Sequence, residues 1–245
     1  MKPKVAFFDL TSCEGCQLTV IDSLQTHFGL LDVVEIVQFR EALSGGNDDY
    51  DIALVEGSIA SESDEARLKA IRDKAKVLVA LGACAHIGGI NAIKNLSPLD
   101  EVRWSVYGDE ADWFGASATR PLDAIVRVDA FIPGCPIDRI EFIEVVKAMV
   151  RGKKPPIPDY PVCMECKLKE NVCVFDKGGF CLGAITRAGC DAVCPTYGAG
   201  CEGCRGLVSK PNQGAMRSAL AEHGLAADLI AARMTMFCAH EISKA

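Results

Sequence analysis

The sequence predicts a doubly wound α/β sheet, followed by a small cysteine-rich domain with little regular structure and C-terminal helices. Three observations lead to this prediction. Short apolar runs alternate with helical patterns over roughly the first 150 residues, thirteen cysteines occur in 245 residues, and eight of them lie between residues 163 and 204. A hydrophobic content of 49% supplies enough apolar surface for a well-buried core.

Five apolar runs are predicted to be the parallel strands of the sheet. The runs are short and rich in Val, Ile and Phe, as strands buried on both faces are. They cover residues 4–10, 33–39, 51–57, 76–82 and 130–134. Because ligands of doubly wound sheets bind beyond the carboxyl ends of the strands, the residues that follow these runs are the functional candidates.

Helices are predicted between several of these strands. Ser61 or Ser63 can cap a helix that continues to about Lys74. A second helix is predicted from an apolar stripe at helical spacing, and this helix ends near Gly152. The stripe consists of Ile137, Ile140, Ile143, Val146 and Val150, and we expect it to pack in the core.

A basic, proline-rich stretch, "RGKKPPIPDYP" at residues 151–161, predicts a domain boundary, since its prolines prevent regular structure. We expect a first domain at 1–152, a linker at 153–162 and a second domain at 163–245. Residues 163–204 contain many glycines and little periodic hydrophobicity, so we expect metal coordination to replace a conventional core there. Residues 214–238 are predicted to be helical, with a break at 223–225.

Composition and charge narrow the classes of function. A net charge of −7 without a dense basic block argues against nucleic-acid binding. No apolar run approaches the roughly eighteen residues of a membrane span, and the N-terminus has neither a signal-peptide pattern nor a twin-arginine leader. We therefore expect a cytoplasmic protein. In that compartment thiols stay reduced, so thirteen cysteines favour metal binding or redox chemistry over disulfides.

Four cysteines of the first domain follow predicted strands. Cys13 and Cys16 form a C-x-x-C pair after the first strand, Cys84 follows the fourth strand, and Cys135 follows the fifth. Because parallel strands end at one edge of the sheet, we expect the four thiols to lie close together. The C-x-x-C pair alone fits a structural zinc, a redox dithiol or an iron-sulfur cluster. A thioredoxin-like dithiol enzyme would require Cys84 and Cys135 to be dispensable.

The other eight cysteines supply ligands for two four-thiolate sites, and both zinc and iron-sulfur clusters accept four thiolates. The Cys194-Pro195 step is typical of ferredoxins, and gaps of six to eight residues are looser than the paired ligands of zinc ribbons. The pattern therefore favours iron-sulfur clusters, with a zinc-stapled binding module as the alternative. A sequential assignment forms two groups, Cys163, Cys166, Cys173, Cys181 and Cys190, Cys194, Cys201, Cys204; an interleaved one would exchange a ligand between them.

The order of these motifs resembles the small, electron-transferring subunit of [NiFe] hydrogenases. The C-x-x-C pair, "VEGS" after the third strand, "GACA" after the fourth, "PGCP" after the fifth and the cysteine-rich tail span nearly the whole chain. The similarity is greatest to the cytosolic sulfhydrogenase and F420-reducing or non-reducing types. It implies a flavodoxin-like first domain that holds a proximal [4Fe-4S] cluster against the nickel-iron site of a separate large subunit. The implied proximal ligands are Cys13, Cys16, Cys84 and Cys135.

The resemblance extends to the tail, with one departure. In membrane-bound and periplasmic relatives the first distal ligand is a histidine and the medial cluster lacks one thiolate, whereas here Cys163 stands at the histidine position and both groups have four cysteines. The implied distal ligands are Cys163, Cys166, Cys173 and Cys181, and the implied medial ligands are Cys190, Cys194, Cys201 and Cys204. We call the four implied proximal ligands the proximal thiol set, the four implied medial ligands the medial thiol set, and the four implied distal ligands the distal thiol set.

Three [4Fe-4S] clusters in this arrangement imply two partner chains. One is the [NiFe] large subunit, and the other is an electron-acceptor subunit linked to flavin, iron-sulfur, NAD(P), F420 or ferredoxin. A weaker similarity exists to the cluster-bearing 20-kDa subunit of respiratory complex I. That family has adjacent cysteines in place of the C-x-x-C pair and lacks the two-cluster tail, so a complex I-like cluster subunit is a further alternative.

Several expectations concern what surrounds the thiols. No cysteine pair is left for nickel, and the first strand-helix turn carries C-x-x-C rather than G-x-G-x-x-G, so we expect no nickel, flavin or NAD in this chain. Glu14 and Glu56 are candidates for non-ligating residues near the proximal cluster. Glu14 lies between Cys13 and Cys16, where a carboxylate near the subunit interface could tune the cluster or relay protons. For Glu56, a carboxylate at the mouth of a buried strand is costly without a role. His86 is expected to pack rather than ligate, and Cys238 to be a buried free thiol.

Overall fold

A computed structural model describes residues 2–242, so residue 1 of the predicted first domain and residues 243–245 of the predicted second domain lie outside the described residues. Five parallel strands form one sheet in the order β2-β1-β3-β4-β5, which is the flavodoxin-like order. Each predicted run contains one strand and exceeds it by one or two residues. The strands are β1 (Lys4–Asp9), β2 (Glu35–Phe39), β3 (Ile52–Glu56), β4 (Val77–Leu81) and β5 (Ala130–Ile132).

Helices cover both faces of the sheet and form the tail. The α-helices are α1 (Gly15–Thr26), α2 (Glu62–Lys74), α3 (Gly82–Ile87), α4 (Leu99–Tyr107), α5 (Arg139–Val150), α6 (Val162–Leu168), α7 (Val193–Thr196), α8 (Gln213–Glu222) and α9 (Ala227–Ile242). Short 3-10 helices lie at Phe28–Asp32, Gly89–Leu96, Gly108–Trp113, Leu122–Ala124 and Phe175–Lys177. Within residues 2–242, no helix combines the length and the apolar character needed to cross a bilayer.

Alternation along each strand builds one core on each face of the sheet. Phe7 of β1 packs in a cluster with Val20 of α1 and Phe142 of α5, whereas its neighbour Phe8 packs in a second cluster with Leu68 of α2. Both faces are therefore buried, which explains why the strands are continuous apolar runs rather than alternating ones.

Two helix starts are fixed by side-chain caps. Ser61 accepts a hydrogen bond from the backbone N–H of Asp64 and caps α2, so the first of the two candidate serines is the cap. Asp138 accepts a bond from the N–H of Glu141 at 2.8 Å and caps α5. Helix α5 thus begins after Ile137, which lies outside it.

The predicted apolar stripe on α5 was wrong at two positions. Ile140 is 59% exposed and Val150 is 36% exposed. The face that packs against the sheet consists of Phe142, Ile143, Val145 and Val146. With 3.6 residues per turn, Ile140 lies on the opposite side of the helix from Phe142 and so points to solvent.

A third hydrophobic cluster joins the tail to the first domain. It contains Ala83 and Ile87 of α3, Leu182 and Ile185 of the cysteine-rich segment, and apolar side chains of α8 and α9. Leu182 and Ile185 of residues 163–204 therefore belong to a hydrophobic core that distant segments complete, which the sequence did not predict. Metal coordination within this segment stays a prediction. Of the predicted linker at 153–162, residues 153–161 form no helix or strand, whereas Val162 begins α6. The expected break at 223–225 lies between α8 and α9.

Candidate metal centres

The proximal thiol set gathers at the carboxyl edge of the sheet, as its topology predicts. Cys13 lies in the loop after β1, and Cys16 lies in the first turn of α1. Cys84 lies in α3 after β4, and Cys135 lies in the loop after β5. Burial raises the pKa of the Cys84 thiol to about 12, and the charges of Cys135 and Cys13 add to this shift. Burial also raises the pKa of Cys16, with contributions from Cys135 and Cys84. Cys13 and Cys135 are therefore electrostatic neighbours of Cys84, and Cys135 and Cys84 are neighbours of Cys16, so the four thiols lie close together.

Gly82 makes room for the proximal thiol set. Its φ of +83° lies in the left-handed region, and a Cβ at this position would stand 2.4 Å from the sulfur of Cys16. A side chain at residue 82 would displace that thiol. The residue before Cys84 is held to the opposite loop, since the N–H of Ala83 donates to the carbonyl of Gly134 at 2.8 Å.

Glu56 lies beside Cys16 of the proximal thiol set. It ends β3, is 2% exposed, and accepts hydrogen bonds from the backbone N–H of Cys16 at 3.2 Å and of Gln17 at 2.9 Å. A carboxylate in this position satisfies free N–H groups at the start of α1. Burial raises the pKa of Glu56, while these two hydrogen bonds lower it. The side chain therefore fixes the backbone on which the Cys16 thiol stands.

Glu14 belongs to a charged rim around the proximal thiol set. It adopts a left-handed backbone conformation, with φ of 62°, and its carboxylate lies 3.0 Å from the guanidinium of Arg40. Arg40 also lies 3.1 Å from Asp9, which lies 3.6 Å from Arg67. Asp9 was not predicted from the sequence, although it ends an apolar strand as Glu56 does, and that same signal could have found it.

Two other residues of interest pack against neighbouring groups: His86 is half-buried and Cys238 is buried. The ring of His86 stacks on Phe131 with centroids 3.8 Å apart, and burial lowers the pKa of His86 to about 3, which leaves it neutral. Cys238 is 1% exposed, and its thiol donates to the carbonyl of Gly203 at 3.4 Å. Both residues occupy the packing positions that the sequence predicts for them.

The distal thiol set is formed by α6 and the loops that follow it. Cys163 and Cys166 lie on this helix, and Cys173 and Cys181 lie on the loops that follow. Burial raises the pKa of Cys163 to about 11, and the charges of the other three members add to the shift. A Cβ on Gly183 would stand 3.3 Å from the sulfur of Cys181 and 3.5 Å from that of Cys163, so both thiols flank the same backbone position.

The medial thiol set lines a single cavity of about 640 Å³. Its four members share this cavity with Cys135 of the proximal thiol set and with Arg205, which follows Cys204 in the chain. Burial raises the pKa of Cys204 to about 11, and the charges of Cys190, Cys135 and Cys194 add to the shift, whereas the backbone N–H of Cys135 lowers it. The cavity therefore combines four thiols with volume for a polynuclear group.

Glu165 links the distal and medial thiol sets. It lies on α6 between Cys163 and Cys166, and its carboxylate accepts hydrogen bonds from the N–H of Gly189 at 2.7 Å and of Ala192 at 3.0 Å. These two donors flank Cys190. Glu165 was not predicted from the sequence, since an acid inside a C-x-x-C pair is indistinguishable from a solvated residue until its distant partners are known.

The residues present fit iron-sulfur clusters by their chemistry. Each set consists of four thiols with shared neighbours, and no disulfide joins the described cysteines, which are all free. Within the described part of the chain, no three His, Cys, Asp or Glu side chains converge on one metal-ion position. Four thiolates are the usual ligands of [4Fe-4S] clusters.

Comparisons with known proteins identify similar chains. A profile of the family described as "NADH ubiquinone oxidoreductase, 20 Kd subunit" matches residues 13–149, from the first proximal cysteine to the end of α5. Sulfhydrogenase 2 subunit delta of Pyrococcus furiosus is 38% identical over 205 residues, covering 83% of this chain and 86% of that protein. A subunit of the vhu F420-non-reducing hydrogenase of Methanocaldococcus jannaschii is 33% identical over 242 residues, covering 84% of this chain and 83% of that protein.

A solved structure of similar fold is an NAD+-reducing [NiFe]-hydrogenase in the H2-reduced state. One of its chains aligns with a TM-score of 0.57 and 26% identity, covering 64% of this chain and 96% of that chain. The parallel sheet and its flanking helices are therefore shared with a hydrogenase subunit.

Proposed function

The chain belongs to the NADH ubiquinone oxidoreductase 20 Kd subunit family, and we propose that it is the electron-transfer subunit of a [NiFe] hydrogenase. Its relatives are hydrogenase subunits, so the chain is a member of an oxidoreductase complex. These relatives, together with thirteen cysteines, imply iron-sulfur clusters. One-electron transfer is the chemistry that such clusters supply.

We assign one [4Fe-4S] cluster to each thiol set. The neighbours of Cys163 are the other three members of its set, and the four medial members line one cavity, which supports the sequential assignment over the interleaved one. Glu14 and Glu56 lie beside the proximal thiol set as non-ligating residues. We further propose that the chain is divided at 1–152, 153–162 and 163–245, although the third hydrophobic cluster crosses that boundary.

The main support for the proposal is that the medial thiol set lies between the other two and contacts both of them. The medial and proximal thiol sets meet at Cys204 and the N–H of Cys135, and the medial and distal thiol sets meet where the N–H of Cys201 donates to the sulfur of Cys181 at 3.2 Å. The medial thiol set thus touches both of the others. A relay between a buried reaction centre and an outer acceptor requires this order.

The two ends of the series differ in the surfaces that they offer to partner chains. At the proximal end Cys13 and Cys135 are exposed beside the charged rim of Arg40 and Glu14, which supports docking of a large subunit there. At the distal end Cys173 is exposed, and so is Leu168 at the end of α6, which is 83% exposed. Their exposure supports contact with the acceptor subunit. We propose a cytoplasmic complex in which this chain holds neither nickel nor flavin nor NAD.

Anaerobic analysis of the full chain, purified with its partners and dissociated from them, tests the assignment. Three cubane clusters require about twelve irons and equal acid-labile sulfide per chain. Two or three zinc ions without sulfide would contradict the proposal and favour the zinc-stapled binding module. A second candidate, the cluster subunit of a complex I-like oxidoreductase, is favoured by the family match at residues 13–149. It predicts a partner chain without nickel.

A further inference from the structure

Arg205 is a fully buried cation between two thiol sets. Its side chain is 1% exposed, and it is the largest of the fully buried side chains among residues 2–242. The guanidinium donates three hydrogen bonds: from Nε to the carbonyl of Ala188 at 2.7 Å, and from the two terminal nitrogens to the carbonyl of Pro133 at 3.0 Å and to Oε1 of Glu141 at 2.6 Å. The group is therefore held in one position from three sides.

Two of these three partners lie two residues before a proposed cluster ligand in the sequence, and the third lies on helix α5. Pro133 lies two residues before Cys135 of the proximal thiol set, Ala188 lies two residues before Cys190 of the medial thiol set, and Arg205 itself follows Cys204. Glu141 lies in the first turn of α5. One guanidinium thus ties two loops of the medial thiol set to a loop of the proximal thiol set and to the first domain.

The ion pair of Arg205 and Glu141 leaves no space for a side chain at residue 189. Gly189, with φ of +111°, has no side chain, and a Cβ there would lie 2.2 Å from a terminal nitrogen of Arg205 and 2.6 Å from Oε1 of Glu141. The other carboxylate oxygen of Glu141 is buried and has no hydrogen-bond partner among the described residues. A guanidinium remains protonated in proteins, so the buried cation persists at any working pH.

A buried ion pair of this kind needs a reason other than stability. Replacing such a pair by apolar residues of similar volume is often neutral or stabilising, because desolvation of both charges offsets their attraction. Arg205 lies where its charge can act on the medial site, because it lines the same cavity as the four cysteines of the medial thiol set and directly follows Cys204 in the chain. Reduction of a cluster adds negative charge, and a nearby buried cation favours the reduced state, since net charge and hydrogen bonding set cluster potentials.

We propose that Arg205 and Glu141 are positioning residues that set the reduction potential of the cluster held by the medial thiol set. The inference rests on the proposed function, because it requires a cluster in that cavity. Arg205 raises the potential by its positive charge, and Glu141 restrains this effect by its negative charge while it fixes the guanidinium. The two residues therefore act in opposite directions on one cluster.

Redox titration of the intact complex, followed by electron paramagnetic resonance, tests the proposal. A Cys190→Ser variant identifies the medial signal by its loss or change. Arg205→Met is expected to lower the potential of that signal by at least about 59 mV, which corresponds to a tenfold change in the ratio of reduced to oxidised cluster for one electron. Glu141→Gln is expected to raise it, and Arg205→Lys to leave it near the wild-type value. The control is Arg127→Met, because the side chain of Arg127 is 87% exposed.

Opposite shifts for the two variants support the inference, since a purely structural role would move both potentials in the same direction. Shifts of the same sign, or unchanged potentials in variants with a full iron content, overturn it. If Arg205→Met does not retain its iron, Glu141→Gln decides alone: a raised potential supports the proposal and an unchanged one overturns it. Absence of iron and sulfide in the wild-type chain overturns the proposed function itself, whereas full iron with unmoved potentials overturns only this inference.

Discussion

The backbone N–H of Cys201 donates a hydrogen bond to the sulfur of Cys181 at 3.2 Å. The two residues belong to different thiol sets, so this hydrogen bond joins the backbone of the medial loop to a sulfur of the distal thiol set. A second bond to the same sulfur comes from the N–H of Gly183 at 3.4 Å. Hydrogen bonds to ligand sulfurs contribute to cluster potentials, so under the proposed assignment the loop around Cys201 would influence both the medial and the distal cluster.

Replacement of Cys84 by serine is expected to remove one cluster and leave two. Cys84 is the member of the proximal thiol set on α3, and its loss leaves three thiolates at that site. The iron content of the purified chain should fall by about four of twelve. The matched control is Cys238→Ser, because Cys238 is buried but belongs to none of the sets, and it should retain the full content. Full hydrogen-dependent acceptor reduction by the Cys84 variant would disprove the assignment.

Replacement of Gly82 by alanine is expected to disturb the proximal thiol set without unfolding the sheet. The new Cβ would collide with the sulfur of Cys16, and φ of +83° is unfavourable for alanine. Iron should therefore be lost from this site, while far-ultraviolet circular dichroism stays unchanged. Gly29→Ala is the control, since a Cβ there meets nothing within 4 Å. Equal iron contents in the two variants would argue against a cluster at Cys16.

Replacement of Glu56 by alanine is expected to lower stability. It leaves two backbone N–H donors in a buried site without their acceptor, which costs about 1 to 3 kcal/mol for each group. The melting temperature should fall by about 2 to 4 °C per kcal/mol in a chain of this size. Glu56→Gln keeps one acceptor oxygen, so its melting temperature should lie between those of the wild type and the alanine variant. The exposed Glu144, paired at the surface with Lys147, provides the control, and an equal loss for Glu144→Ala would contradict the role of Glu56.

Two substitutions on α5 test which face of this helix is buried. Phe142 is 2% exposed, and Phe142→Ala should reduce the free energy of unfolding by about 3 to 5 kcal/mol through lost burial and the cavity that remains. Ile140 is 59% exposed, and Ile140→Ala should cost less than about 1 kcal/mol. Denaturant unfolding of both variants measures the difference. A larger loss at Ile140 would restore the stripe predicted from the sequence.

The sheet and the positions of the cysteines were predictable because each depends on local signals. Buried parallel strands are continuous apolar runs, and cysteines that directly follow them must lie at one edge. The distant polar partners were not predictable in this way. Arg205 and Glu141 are 64 residues apart and carry no motif, so only the folded chain brings them together. The third hydrophobic cluster was missed for the same reason, since α3, Leu182 and α9 each supply only part of it.

The hydrophobic cluster shared by α3 and the C-terminal helices affects how the chain would respond to a break in its backbone. Residues 151–154, at the start of the predicted linker, are exposed and lie outside the helices and strands, so they are the expected site of limited proteolysis. The pieces on either side remain joined through Ala83, Ile87 and Met234, and through the buried pair of Arg205 and Glu141. We expect the nicked chain to persist as two associated fragments that melt together as one cooperative unit.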